Sequence, residues 1–259
     1  MNNRQEQLKA FGELLDIMDE LREKCPWDKK QTLESLRHLT IEETYELGDA
    51  ILDRDMNEIR KELGDLLLHI VFYSKIGSET RDFGIKDVID GINEKLIHRH
   101  PHVFGDTVVD DEEQVAQNWE QLKLKEGKKS ILEGVPKSLP AMIKASRIQD
   151  KAASAGFDWE EPGQVLDKVK EELAELEQEL ENPGNEKIEA EFGDVLFSMI
   201  NFSRFIKVDP ESALERTNKK FIKRFRYLEE EAKKNGESLK DLTLEQMDVY
   251  WNQSKKHFE

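Results

Sequence analysis

Two acidic motifs recur in this chain with their internal spacing intact, and that repeat limits the folds open to it. Glu42-Glu43-Thr44-Tyr45-Glu46 precedes Glu62-Leu63-Gly64-Asp65, and Glu171-Glu172-Leu173-Ala174-Glu175 precedes Glu191-Phe192-Gly193-Asp194. Every acid of the first set has its counterpart at one constant offset. The parallel extends to Asn93–Arg99 against Asn218–Arg224, and to Trp119–Lys123 against Trp251–Lys255. The repeating unit is therefore a whole domain of roughly a hundred residues, too long for a solenoid repeat.

Apolar residues recur at helical intervals in both halves, while Gly and Pro are sparse, which predicts an all-α protein. The pattern predicts helices near 5–23, 40–53, 56–76, 85–99 and 111–125, then near 140–153, 163–181, 186–206, 210–234 and 242–257. Breaks fall at Cys25-Pro26-Trp27-Asp28, at His100-Pro101-His102, at Gly156-Phe157-Asp158-Trp159 and at Asn182-Pro183-Gly184-Asn185. The Gly- and Pro-bearing segment after Glu126 reads as a linker. The expected organisation is a helical domain over 1–126, a linker over 127–139 and a second helical domain over 140–259.

The acids lie beside apolar stripes. Val165, Leu166, Val169, Leu173, Leu176 and Leu180 line one face of the 163–181 helix, and Glu172 and Glu175 share one flank of it. Ile188, Phe192, Val195 and Met199 form the next stripe, flanked in the same sense by Glu191 and Asp194. A short turn makes the helices an antiparallel pair, so four carboxylates converge at the edge of a packed seam. Two carboxylates about 5 Å apart repel by roughly 3 kcal/mol at an effective dielectric of about 20. A divalent cation removes the conflict, and an all-oxygen set suits Mg²⁺ or Mn²⁺ rather than Zn²⁺. The alternative is a pair of solvated helix faces, which explains one acidic motif better than two copies with matched spacing. Gly64 and Gly193 each cost on the order of 1 kcal/mol inside a helix, so close helix packing or ligand approach is expected there.

The formal charge of −17 argues against binding nucleic acid or an anionic membrane, both of which need a cationic face. The longest apolar run, Leu66 to Tyr73, is too short to span a bilayer. Cys25 is the only cysteine, so no intrachain disulfide forms; with a polar amino terminus this fits a cytoplasmic protein. Cys25 is expected to pack beside Trp27. His98, His100 and His102 lack a zinc-ligand spacing and read as part of a turn. No glycine-rich phosphate loop occurs, so phosphate binding must rest on metal and basic side chains.

Cys25-Pro26-Trp27-Asp28, the paired acidic motifs, His100-Pro101-His102-Val103-Phe104 and Gly156-Phe157-Asp158-Trp159 together resemble the MazG-type nucleoside triphosphate pyrophosphohydrolases over nearly the whole chain. The resemblance implies two repeated helical bundles of the all-α NTP pyrophosphohydrolase type, a homodimer, and Mg²⁺-dependent hydrolysis of NTPs to NMP and diphosphate, with Mn²⁺ as a substitute ion. It implies Glu172, Glu175, Glu191 and Asp194 as metal ligands. Lys168, Glu171, Lys187, Lys220, Arg224 and Trp251 become the nucleotide-contacting set. Lys220 and Arg224 lie one turn apart on one helix face and suit a phosphate clamp; Trp251 either stacks on a base or belongs to the core. Among the carboxylates Glu171, Glu172 and Glu175, Glu171 is the candidate for receiving the proton of the attacking water.

The first copy keeps Glu43, Glu46, Glu62, Asp65, Lys95, Arg99 and Trp119, but Leu39 and Glu58 stand where the second copy has Lys168 and Lys187. The expectation is one competent site in the second domain, with the first carrying a weak or degenerate site or serving mainly as a dimerisation partner. Two other readings compete: a non-catalytic helical module that binds metal or nucleotide and acts through a protein partner, and a structural dimer with acidic faces.

Overall fold

A computed structural model describes residues 3–107, 114, 130–181 and 185–258. The helix expected over 111–125 with Trp119, the start of the expected linker and the turn at 182–184 lie outside the described residues. Every longer element is helical, and no strand occurs among the described residues. The chain divides into two compact units, Met1–Trp119 and Glu120–Glu259.

In the first unit α1 (Arg4–Lys24) starts on an Asn3 capping box with Glu6. A 3₁₀ turn at Asp28–Lys30 leads to α2 (Leu33–Asp53). This helix starts seven residues before the expected point because Thr32 and Ser35 cap each other reciprocally, with Ser in the place usually taken by Glu or Gln. Arg54, in the left-handed region at φ 56°, ends α2. Asp55 then accepts from the Asn57 and Glu58 amides to start α3 (Met56–Thr80). That tight turn makes α2 and α3 an antiparallel pair.

Arg81, at φ 63°, ends α3, and α4 (Ile85–Arg99) follows. The break expected at His100-Pro101-His102 is a change of direction into a one-turn helix, α5 (Pro101–Phe104), with Pro101 at its first position. Met18, Leu36, Val71 and Phe72 form the buried centre, with Leu39, Leu68 and Ile76 packed around it. Thr40 and Tyr73 join α2 to α3 through hydroxyls 2.6 Å apart. Arg22 binds Glu79 and the carbonyls of Asp28 and Gln31, tying the loop after α1 to α3. Cys25 is half-buried, whereas Trp27 is largely exposed.

The second unit contains α6 (Ala141–Ser154), α7 (Pro162–Glu181), α8 (Asn185–Phe205), α9 (Pro210–Lys234) and α10 (Leu244–His257). α7 pairs with α8 and α9 with α10, while α6 packs against both α8 and α9. The stretch before α6 is held on this unit: the Ile131 carbonyl accepts from the buried Lys151 ammonium at 3.0 Å, and the Lys137 carbonyl from Lys144 at 2.7 Å. Gly156, at φ 86°, closes α6 with paired bonds from Gly156 to Ala153 and from Phe157 to Ala152.

The apolar stripes are only partly covered within one chain. Val165, Val169, Val195 and Ile200 are buried, but Leu166, Leu173, Leu180, Phe192 and Met199 remain exposed, Phe192 at 54%. Close packing at Gly64 and Gly193 is not found, because a methyl group at either position would meet no protein atom within 4 Å.

Candidate active site

In each unit the antiparallel pair brings three carboxylates together. Glu172, Glu175 and Glu191 offer oxygens that all lie within 4.8 Å of one another, and so do Glu43, Glu46 and Glu62. Two come from successive turns of the first helix of the pair and one from the facing helix. Asp65 and Asp194, one turn beyond Glu62 and Glu191, lie outside these trios. The Asp65 charge nevertheless reaches Glu43.

The second-unit trio is half sunk in the seam, with Glu172 only 7% exposed. Lys168, one turn earlier on α7, places its ammonium 2.8 Å from Glu172 Oε1 and 2.9 Å from Glu171 Oε1. Its hydrogen bonds to Glu172 and then Glu171 raise the Lys168 pKa, so this cation stays charged across all ordinary pH. Glu175 is pushed above the usual carboxylate range, first by desolvation and then by the Glu172 charge, with Lys168 acting against the shift.

Among the described residues no ion pair joins the first-unit trio to such a cation. Leu39, at the position of Lys168, packs against the buried centre instead. Glu58, at the position of Lys187, pairs with Lys61. The adjoining cleft of about 250 Å³ is lined by Glu46, Asp49, Asp53, Asp55, Glu58 and Glu62 together with Ala50. Glu43 is raised by desolvation first and then by Asp65, Glu46 and Glu62. The lining acids at 49, 53 and 55 were not among the residues expected from sequence, although all three flank the α2–α3 turn.

The remaining expected contacts sit elsewhere. Lys187 is 73% exposed and lies 3.5 Å from Glu179, near the α7–α8 turn. Lys220 and Arg224 are on α9 and Trp251 on α10. Trp251 packs against Phe221 with ring centroids 5.1 Å apart, and Arg224 donates to the Phe258 carbonyl while its buried Nε meets no acceptor. Arg224 and Trp251 are thus engaged within their own helix pair. In the first unit Lys95 and Arg99 lie on α4.

A partly buried carboxylate trio on each of two antiparallel helix pairs gives a duplicated all-α site with an all-oxygen donor set of the kind that suits a hard cation. The model of the MazG nucleotide pyrophosphohydrolase domain matches residues 31–104 and again 160–228, and the chain belongs to this family. It is 47% identical over 250 residues to the nucleoside triphosphate pyrophosphohydrolase/pyrophosphatase MazG of Thermotoga maritima, covering 95% of each chain. It is 40% identical over 258 residues to the nucleoside triphosphate pyrophosphohydrolase of Escherichia coli K12, covering 96% of this chain and 98% of that one. The crystal structure of a MazG-related protein from Thermotoga maritima aligns with a TM-score of 0.40 and 25% identity, over 44% of this chain and 98% of that one.

Proposed function

We propose that the second unit hydrolyses nucleoside triphosphates to nucleoside monophosphates and diphosphate. The observation that carries this reading is the Glu172–Glu175–Glu191 trio, within 4.8 Å and partly desolvated, set beside the obligate cation Lys168. Carboxylates so close, with Glu175 already pushed upward, favour a hard divalent ion over mutual repulsion, and the donor set fits Mg²⁺ or Mn²⁺. Asp194 is the fourth oxygen donor in this proposal. Such an ion supplies neutralisation of the phosphate charge and a lowered pKa for water.

The protein's own groups do the rest. Lys168 holds phosphate oxygens at the edge of the seam. Glu171, exposed beside Lys168, receives the proton as water adds to phosphorus and the bridging oxygen between the α and β phosphates leaves with the bond's electron pair. Lys187, Lys220, Arg224 and Trp251 bind the rest of the nucleotide after rearrangement or from a partner copy. The first unit, where Leu39 and Glu58 stand in place of the two lysines, is the degenerate copy.

The exposed Phe192, Leu196 and Met199 on α8 and Leu173 and Leu180 on α7 support a homodimer, in which these faces are covered. No described helix is long and apolar enough to cross a membrane. A single unpaired cysteine fits the reducing cytoplasm, where we place the protein. The decisive experiment is product analysis with ATP or dGTP and Mg²⁺. Nucleoside monophosphate plus diphosphate is expected, and nucleoside diphosphate plus orthophosphate overturns the assignment.

A further inference from the structure

Two lysines stand in the same relation to the second-unit trio, yet only one of them bonds to it. Lys168 precedes Glu172 by four residues on α7, and Lys187 precedes Glu191 by four on α8. In each case the cation lies one helical turn before a trio acid, the spacing at which side chains meet on a helix surface. Lys168 takes that partner, with its ammonium 2.8 Å from Glu172. Lys187 does not. Among the described residues no ion pair joins it to Glu191; it crosses the hairpin to Glu179 on α7, 3.5 Å away.

Glu179 is well placed to divert it. It follows Glu175 by four residues on α7, as Lys187 precedes Glu191 by four on α8. In the antiparallel pair the two therefore meet about 6 Å beyond the trio, toward the α7–α8 turn. The Glu179 side chain is 25% exposed against 73% for Lys187, so the acid is the anchored member of the pair and the lysine the one with room to swing. Lys168 sits at the opposite end of the trio. A lysine thus stands at each end of the three carboxylates, one bonded to them and one held off.

The internal repeat sets this pair apart from the acids. At the offset that relates the two sets of acids, Ala50 stands in the place of Glu179 and Glu58 in the place of Lys187. The first unit keeps Glu43, Glu46 and Glu62 and lacks both members of the pair together. Joint absence fits two residues that act as a unit, since Glu179 has no task without a lysine to hold.

Charge explains why diversion matters. Carboxylate oxygens within 4.8 Å of one another attract a nearby ammonium as well as a divalent cation. Lys168 already offsets one of these charges. A second lysine on Glu191 would compete with the cation for the same oxygens, and competition of this kind lowers apparent affinity by mass action. We propose that Glu179 is a positioning residue that holds Lys187 off Glu191 in the resting protein, leaving the trio open to its cation and the lysine available to a phosphate. The inference rests on the hydrolase reading of the trio. It makes the metal affinity of the site depend on a residue that touches neither metal nor nucleotide.

The test is a calorimetric titration of the full chain with Mg²⁺ alone, in a Glu43→Gln background so that the second unit dominates the signal. Glu179→Gln preserves helix propensity and size while freeing the lysine. It is expected to weaken Mg²⁺ binding about threefold to fivefold, the scale of one exposed ion pair. Lys187→Met removes the competitor, so adding Glu179→Gln to it should change the affinity less than about 1.5-fold. An equal loss in both backgrounds would make Glu179 a metal ligand or a distant charge and overturn the proposal. So would an unchanged affinity in Glu179→Gln alone. Turnover gives a second readout: Glu179→Gln should raise the Mg²⁺ concentration for half-maximal rate, while the triphosphate KM at saturating Mg²⁺ stays within about 1.5-fold. A raised triphosphate KM with unaltered Mg²⁺ dependence contradicts the assigned role. If the wild type turns over no triphosphate, the hydrolase reading fails, while the calorimetric comparison still decides the part played by Glu179.

Discussion

The Lys168 ammonium lies 2.8 Å from Oε1 of Glu172, one turn apart on the same helix and at the buried edge of the acidic trio. The contact sets a cation against the sunken Glu172 carboxylate and keeps a positive charge where a phosphate oxygen would arrive. Lys168→Met removes one charge-assisted contact worth about 1.5–3 kcal/mol. The expected result is a loss of roughly 10- to 100-fold in kcat/KM, read from steady-state hydrolysis. A variant with unaltered kinetics would show that the lysine serves only the helix.

The two trios should differ in consequence despite their similar geometry. Glu172→Gln is expected to lower kcat/KM about 100-fold or more, whereas Glu43→Gln changes it less than about twofold. Both substitutions should weaken Mg²⁺ binding in their own unit, measured calorimetrically. Equal kinetic losses would mean that the first unit contributes to turnover.

The extent of most described helices was legible from the apolar period, yet two features were not. The early start of α2 depends on a Thr32–Ser35 box that lacks the usual acidic partner. The exposure of Phe192 and Met199 cannot be read from a stripe, because periodicity marks which face is apolar and not what covers it. Within the site, the convergence of Glu172, Glu175 and Glu191 followed from helical flanks and a short turn. The engagement of Lys187 with Glu179 and of Trp251 with Phe221 did not, since long side chains choose partners only once the helices are placed.

Asp158 and Arg204 supply a pH-dependent test of the second unit. The Arg204 hydrogen bonds hold the Asp158 carboxyl below its ordinary value, so the folded state binds this proton more weakly than the unfolded chain. The stabilisation is complete above the unfolded value of about 3.9 and is lost as pH falls through the lower folded one. With both side chains about one-quarter exposed, Arg204→Met should cost about 1–2 kcal/mol at neutral pH. Urea denaturation at pH 7 and pH 2.5 checks this: the gap between variant and wild type should close at the acid end.

Three helices end on a basic residue in the left-handed region: Arg54, Arg81 and Lys207. Glycine removes the Cβ conflict there while leaving the backbone caps in place. Arg81→Gly is therefore expected to stabilise the first unit by about 0.5–1 kcal/mol, seen as a higher midpoint in thermal unfolding. A lower midpoint would assign the Arg81 side chain a stabilising contact of its own.

The exposed α8 face gives a test of assembly. Phe192→Asp sets a charge in an apolar contact and should turn a dimer into a monomer by sedimentation velocity, with the helical content unchanged. A wild type that sediments as a monomer at all concentrations sinks the dimer proposal.

Glu43 and Glu62, like Glu172 and Glu191, are nineteen positions apart, and a single tight reversal between two helices brings them together. Each trio is thus a local product of its chain, completed when one hairpin closes and independent of distant segments. Contacts of such short sequence separation form early and quickly in folding. The acids must then share their crowded space from the first moments of collapse, so cation present during refolding should speed the α7–α8 closure as well as stabilise its result. Such a self-contained cassette is also well suited to duplication, since a copy carries its whole binding geometry with it and can afterwards lose a neighbouring lysine without losing its shape.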